Sequence, residues 1–411
     1  MSLTPEQVAT IKATVPVVQE HGNTITTAFY HNMLDENPEL KNTFNLTNQF
    51  NGHQQKALAT ALYAYAANID NLGVLSKAVE RITQKHASLF IKPEQYDIVG
   101  KYLLAAMGQV LGDALTPAIL DAWTAAYGQL ATIMINAEEE LYADDKKWRE
   151  WRDFRIASKV KESSIITSFY LEPVEGEALP PFRPGQYISV QTDVPKLGFM
   201  QSRQYSLSDA YSPKSYRISV KREQGIDLPG QNDSHHPGQI SNALHDSKHE
   251  GDVIQLSSPY GEFFLDLEAI GDAPVVLISA GVGLTPLVSM LNTLTQQPTE
   301  RPITWIHATR TKDAQAFDAH VRSIVAANPN VHARVFLKNP KETDGHFDHV
   351  GRMDLSKVDR KDLYVSDQTA RYYICGPEPF MIDTRTVLQS LGVDKERIKV
   401  ELFGTGAMVD N

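Results

Sequence analysis

Residues 143–154 read ADDKKWREWRDF. Before this stretch the chain has the periodicity of helices; after it the chain begins in strands, so reading it as a joint decides the architecture. It is charged and carries Trp148 and Trp151. We read 144–151 as a linker whose tryptophans pin it to neighbouring surfaces, with long basic stems alongside. Upstream, Thr4-Pro5-Glu6-Gln7 supplies a capping hydroxyl, a proline at the first helical position and a glutamine at the capping-box position. Lys92-Pro93 and Thr116-Pro117 mark further helix starts. Ile119, Trp123, Ala126, Leu130, Met134 and Leu141 recur at helical spacing. The pattern predicts an all-α domain over 1–143, a common size for one core.

Downstream, FRIASKVKE (154–162), ITSFYLEPV (166–174), GQYISVQT (185–192) and YRISVKRE (216–223) are short, rich in β-branched and aromatic residues, and bounded by turn formers. They predict an antiparallel β-barrel or sandwich over 152–266. Over 267–411, the strands PVVLISAG, PITWIHAT, VHARVFLK, RYYICGP and IKVELFG alternate with helical stretches. That alternation predicts an α/β domain with a parallel sheet.

Composition narrows the function classes. Hydrophobic residues make up 42%, enough for packed cores, and the net charge of −11 disfavours nucleic acid and anionic membranes. No apolar run reaches the roughly 18 residues of a bilayer span, and the N-terminus carries no secretory pattern. The single cysteine, Cys375, permits no internal disulfide and suits a reducing compartment. We expect a soluble, cytoplasmic protein.

Four stretches carry chemistry. AGVGLTP (280–286) follows an apolar strand: Gly281 and Gly283 let backbone approach a phosphate, and Pro286 is placed to begin a helix whose amides face an anion. Cys375-Gly376-Pro377 follows a second strand, and two glycine turns at carboxyl ends of parallel strands flank one crevice. RQYSLS (203–208) alternates an arginine suited to pyrophosphate, a tyrosine able to lie on a flat ring, and a hydroxyl. RITQKHASLFIKPEQY (81–96) holds His86 in a helical run. From spacing alone, His86 is either a satisfied core group or a metal ligand. The histidines of NDSHHPG (232–238) read as an exposed loop, and those of HDSKH (245–249) have an i, i+4 spacing that could hold zinc but no obvious third ligand.

RPGQY (183–187), RQYS (203–206), GVGLTP (281–286) and CGP (375–377), in that order, resemble the ferredoxin–NADP reductase family. With AFYHNM (28–33), NPELKNTFN (37–45), NGHQQKAL (51–58) and QKHASLFIKPEQY (84–96) ahead of them, essentially the whole chain resembles the flavohemoglobin family. The resemblance implies a globin domain, a FAD-binding barrel and an NAD(P)-binding α/β domain. It implies haem b with His86 as the iron's proximal ligand, Tyr96 and Glu138 orienting that histidine, Tyr30 and Gln54 stabilising the gas ligand, and Leu58 closing the pocket. His53, beside Gln54, points roughly 100° away from the face that Gln54 and Leu58 share. Tyr187, Arg203, Gln204, Tyr205 and Ser206 match FAD-holding positions. Gly281, Val282, Gly283, Leu284, Thr285, Pro286, Cys375, Gly376 and Pro377 match the site for NADPH or NADH. Arg310 is a candidate for a 2′-phosphate. Lys85 and Glu401 match positions where the two cofactor sites meet, with a salt bridge between them. Leu402, Phe403, Gly404 and Thr405 complete that segment, although Thr405 stands where relatives often have proline. The implied activity is nitric oxide dioxygenase: NAD(P)H reduces FAD, FAD reduces haem iron, and O2 converts NO to nitrate. The reductase lies in the same chain, so we expect a monomer with no obligatory protein partner. A hydroperoxide reductase, a gas sensor coupled to a flavin module, and a plain flavin reductase remain open at this point.

Overall fold

The structure is a computed structural model that describes residues 2–144, 147–195, 197–227, 235–236, 238–297 and 300–404. Helices α1 (Pro5–Ala13), α2 (Val15–Glu36), α3 (Leu46–Phe50), α4 (His53–Ala67), α5 (Ser76–Ala87), α6 (Pro93–Leu111) and α7 (Pro117–Tyr142) form the first domain. The local signals act where they stand. Thr4 and Gln7 close a full capping box on α1, and Thr116 caps α7 through the Ile119 amide. Phe29, Met33, Leu103, Ala106, Trp123 and Ala126 are buried in one core. Gly100 has a packing reason: a Cβ there would lie 2.4 Å from the Tyr127 ring, so only glycine lets α6 and α7 approach this closely.

The joint is held from both sides. Trp148 is buried, donates its indole N–H to Leu256 O at 3.2 Å and joins the barrel core. Trp151 meets Phe90, just past α5, edge-on at 5.2 Å.

Next come β1 (Arg152–Lys161), β2 (Ile166–Pro173), β3 (Tyr187–Val194), β4 (Phe199–Ser206), β5 (Tyr216–Lys221), the short pair β6 (Ile226–Asp227) and β7 (His235–His236), α8 (Gln239–Asp246) and β8 (Val253–Leu256). The six-stranded sheet runs β4-β3-β8-β1-β2-β5 with antiparallel neighbours. An antiparallel bridge between Leu207 and Ile218 joins its edges, curling it into the expected barrel. Every residue of β3 but Asp193 is buried. Ile188 and Val190 face the barrel core, while Tyr187 packs with Ala87 and Tyr142 of the helical domain.

The last domain comprises α9 (Leu267–Ile270), β9 (Val275–Ala280), α10 (Leu284–Thr295), β10 (Ile303–Thr309), α11 (Asp318–Ala327), β11 (Val331–Leu337), β12 (His349–Val350), α12 (Arg360–Leu363), β13 (Arg371–Cys375), α13 (Glu378–Ser390) and β14 (Ile398–Glu401). Its sheet, β12-β11-β10-β9-β13-β14, is parallel throughout. The order reverses at β9, which places β13 beside it and opens the crevice at their carboxyl ends. One expectation shifts: α10 begins at Leu284, so Pro286 lies within its first turn rather than starting it.

Candidate functional site

Three clusters, one per domain, lie along the chain's internal boundaries. In the first, His86 occupies the last turn of α5. Its Nδ1 lies 2.9 Å from Glu138 Oε1 and 2.9 Å from the Tyr96 hydroxyl. Tyr96 donates to Glu138 Oε1 at 2.5 Å. Burial, then the Glu138 charge, pushes the Tyr96 phenol well above its ordinary range, so it keeps its proton. The carboxylate therefore takes one hydrogen bond from the phenol and one from the ring, which puts the imidazole proton on Nδ1. Nε2 makes no hydrogen bond among the described residues. Glu138 is buried and Glu139 exposed, as helical register requires. Behind this group, Tyr127 donates to Tyr96 O at 2.6 Å, made possible by Gly100.

Across the same core, Tyr30 on α2 is buried between Phe29 (ring centroids 4.7 Å) and Phe44 (5.7 Å), both edge-on. Burial raises its pKa to about 12, and a hydrogen bond with Gln54 works in the opposite direction. Leu58 packs against this core, whereas His53 is exposed.

In the barrel, β3 and β4 align Tyr187 with Ser206, Ser189 with Gln204, and Val190 with Arg203. Tyr205 packs on the barrel core, and Gln204 Nε2 donates to Ser189 Oγ at 2.9 Å. Ser189 Oγ donates in turn to Ser88 Oγ at 2.9 Å. Ser88 also meets the Tyr187 hydroxyl, and its own hydroxyl donates to Lys85 O at 2.8 Å. Ser88 stands two residues after His86, so the end of the histidine helix is bonded directly to the β3–β4 hairpin. Nearby, Arg81 Nε donates to Glu262 Oε1 at 2.8 Å and Gly261 N donates to Gln84 Oε1 at 2.9 Å.

Lys85 and Glu401 both lie at this junction, but no ion pair joins them among the described residues. Burial, then Arg203, lowers Lys85 to about 8. Burial, then Glu262, raises Glu401, with Arg81 opposing. The ion pair found here is Arg81–Glu262, with Arg81 reaching across from α5, and the charges that act on Glu401 are those two rather than Lys85.

In the last domain, Ser279 of β9 pairs in register with Cys375 of β13, bringing the two glycine turns together. Gly281 has φ +55° and open space where a Cβ would stand. Gly283 is different: a Cβ there would lie 2.2 Å from Cys375 O. Its absent side chain admits the neighbouring turn, a closer constraint than approach to a phosphate. Val282 and Leu284 to Pro286 continue into α10, and Gly376 and Pro377 lead into α13. Burial, then Glu401, raises the Cys375 thiol, which is fully enclosed. Leu402 packs on the outer core of this domain, Phe403 and Gly404 are exposed, and Thr405 lies outside the described residues. Arg310 is exposed. The His245 ring lies 2.9 Å from Val220 O, His249 pairs loosely with Asp252 at 3.7 Å, and most of 232–238 is outside the described residues.

The sequence reading missed Ser88, Ser189, Arg81, Glu262, Gly100 and Tyr127. Each acts on a partner remote in sequence, and small polar residues at such places carry no local signal.

Comparison with known proteins agrees with this layout. The globin family model matches residues 27–134, and that of the oxidoreductase NAD-binding domain matches residues 277–386. The chain is 47% identical over 414 residues to the flavohemoprotein of Bordetella pertussis, covering 99% of this chain and 100% of that one. It is 46% identical over 401 residues to the flavohemoprotein of Rhizobium meliloti, 96% of each chain. Among solved structures, flavohemoglobin from Malassezia yamatoensis with bound FAD and heme aligns at a TM-score of 0.84 and 30% identity, over 98% of this chain and 100% of that one. The FAD/NAD binding domain of nitric oxide dioxygenase from Vibrio cholerae aligns over 62% of this chain and 100% of that one, at TM-score 0.55 and 35% identity.

Proposed function

The chain belongs to the flavohemoprotein family, and from that premise we propose that it is an NAD(P)H-dependent nitric oxide dioxygenase using haem b and FAD. The overall conversion is 2 NO + 2 O2 + NAD(P)H → 2 NO3⁻ + NAD(P)⁺ + H⁺. The residues fit the three groups. Nε2 of His86 has no partner among the described residues while Nδ1 is engaged, the arrangement an iron-holding imidazole would need. The open space beside Gly281 suits a pyrophosphate. The β3–β4 hairpin sets Tyr187, Arg203, Gln204, Tyr205 and Ser206 on adjacent strands for a flavin. When bound, the nicotinamide would supply hydride, FAD the exchange between two-electron and one-electron chemistry, and haem a redox-active iron.

The chain's own residues do the rest. Glu138 holds the proton on His86 Nδ1 and makes the ring a stronger donor at Nε2, with Tyr96 fixing the carboxylate. Tyr30 keeps its phenol proton across the working range and offers it to an oxygen atom that gains negative charge. Gln54 orients that phenol, and Leu58 keeps water out. Ser88 and Ser189 keep the histidine helix on the flavin hairpin, so the two redox groups would stay at one separation. We further propose domains at 1–143, 152–266 and 267–411, joined by 144–151, in a protein that needs no separate reductase. NADPH and NADH both suit the crevice.

The observation that carries this reading is the convergence of Glu138 and Tyr96 on His86 Nδ1. The test is turnover of nitric oxide by purified protein under NADPH and oxygen, with nitrate measured as product. A Soret band and flavin absorbance together with one nitrate per nitric oxide are expected. Loss of NADPH without oxygen-dependent nitrate formation would leave a flavin reductase instead.

A further inference from the structure

We propose that Gln201, a residue of the barrel, is a positioning residue for the distal pocket of the helical domain, acting through Phe44. The proposal rests on the reading of Tyr30 as the distal donor. Gln201 sits on β4 and is 1% exposed. Its side-chain amide reaches across the domain boundary. Oε1 accepts from Leu46 N at 3.2 Å, and Nε2 donates to Lys41 O at 2.8 Å and lies 3.4 Å from Phe44 O. Nε2 also meets its neighbour's carbonyl, Met200 O, at 2.9 Å. The strand grips the same segment on either side: Met200 N donates to Asn42 Oδ1 at 2.9 Å, and Arg203 Nη2 to Thr47 Oγ1 at 3.2 Å.

The gripped segment, 41–47, spans the end of the 3-10 turn Pro38–Asn42, the connection 43–45 and the start of α3. The last carbonyls of the turn and the first amides of α3 have no partner within their own helix, and where covered they need one from elsewhere. A glutamine has an acceptor and two donors on one planar amide, which is what an amide N–H and two carbonyls in a tight bend require. The consequence lies one contact further in. The Phe44 ring meets Tyr30 edge-on at 5.7 Å and 76°, and the Phe29 ring meets it at 4.7 Å. Tyr30 thus touches one ring fixed within α2 and one ring whose backbone the barrel holds. The direction of the Tyr30 phenol depends on the barrel strand that also carries Arg203 to Ser206. Packed cores transmit such displacements because they lack voids that would absorb them.

The test uses the full-length holoprotein and Gln201→Leu, with two readouts that need no turnover. Amide exchange at Leu46 should accelerate, since its acceptor is gone, and the NMR signal of labelled Tyr30 should shift, in both apo and haem-loaded protein. In the reduced holoprotein, oxygen should dissociate about tenfold faster, the expected result of weakening one hydrogen bond to a charged acceptor, and carbon monoxide by much less. Flavin content and reduction of FAD by NADPH should be unchanged. Gln201→Glu keeps the acceptor for Leu46 N and loses both donors, so it should keep Leu46 protection while still shifting Tyr30; it also serves if the leucine variant folds poorly. An unshifted Tyr30 signal, or equal changes for both gases, overturns the proposal. Failure to bind haem would overturn the reading of Tyr30, while the Leu46 and Tyr30 signals of the apoprotein would still decide whether Gln201 positions the pocket.

Discussion

His86 has two ring nitrogens, and Glu138 and Tyr96 occupy one of them. A core histidine usually satisfies both nitrogens with backbone or water; an Nε2 with no partner among the described residues is what separates this ring from that ordinary case. We expect His86→Ala to lose most haem while keeping FAD, because the residues proposed to hold the flavin sit on a different domain. A purified variant with normal Soret absorbance would rule out the assignment. Tyr30 lies on the other side of the same argument. Its phenol, held up at about 12 chiefly by burial, stays protonated and available. Tyr30→Phe keeps the ring between Phe29 and Phe44 and removes the donor alone. A hydrogen bond to a charged acceptor is worth roughly 1.5–3 kcal/mol, so oxygen release should quicken by about one to two powers of ten. Carbon monoxide, which carries less charge when bound, should respond less. Flash photolysis on the reduced protein reads both gases, and an equal response would make Tyr30 a packing residue. The oxygen rate should also be flat with pH through the neutral and mildly alkaline range, since the phenol does not ionise there.

At the scale of elements, the two glycines of the β9–α10 turn have different physical duties. Gly281 needs a left-handed backbone with nothing nearby, so Gly281→Ala should cost only the roughly 1–2 kcal/mol of that conformation. Gly283→Ala would press a methyl into the Cys375 carbonyl and push the two turns of the crevice apart. We expect it to lower the thermal midpoint more than Gly281→Ala does, and to weaken the concentration dependence of flavin reduction by NADPH. Similar midpoints for the two variants would mean that the turns yield without cost. The turn was legible in the sequence because glycine and proline mark backbone geometry locally. Which glycine touches the other turn was not, because Cys375 lies 92 positions away (375 against 283). β10 holds another such case. His307 is buried, hydrogen-bonded to Ser279 at 2.8 Å, and burial lowers it to about 4, with Asp318 opposing. Above the ordinary histidine value of 6.5 the ring is neutral in both states and its stabilisation is complete. As pH falls from 6.5 toward 4, the unfolded chain binds a proton that the folded one refuses, and stability drops across that window. The midpoint of His307→Leu should therefore fall less steeply with acid over that range. Parallel curves would show that the ring titrates freely in the folded protein.

Across the whole molecule, order of domains and cofactor motifs could be read from the chain, whereas the way the domains lock together could not. Helical period, strand alternation and turn residues are local properties, and each survives in the text of the sequence. The locking contacts join a side chain to a backbone atom or to a serine far away: Gln84 to Gly261 N, Gln201 to Lys41 O, Ser88 to Ser189. Such residues look like ordinary polar positions until the domains are placed. The Lys85–Glu401 bridge fails for the converse reason, since a shared position in a resemblance does not fix which charge faces which. The serine contact yields the prediction that belongs to this scale. Gln204, Ser189 and Ser88 form a hydrogen-bonded chain, both serines buried, from the β3–β4 hairpin to the end of the histidine helix. Ser88→Ala removes its link at the helix end and leaves the Ser189 hydroxyl and the Tyr187 phenol to find other partners. Loss of one buried hydrogen bond costs about 1 kcal/mol, too little to unfold the chain. Both cofactors should still bind, and NADPH should reduce FAD at the usual rate because the glycine crevice is untouched. What should slow is the next step, the passage of electrons from the barrel to the helical domain, since it depends on a fixed separation between the two. Stopped-flow spectroscopy separates the steps: bleaching of the flavin band reports the first and the Soret shift the second. An unchanged Soret phase would show that Arg81–Glu262 and Gln84–Gly261 hold the helix in place without the serines.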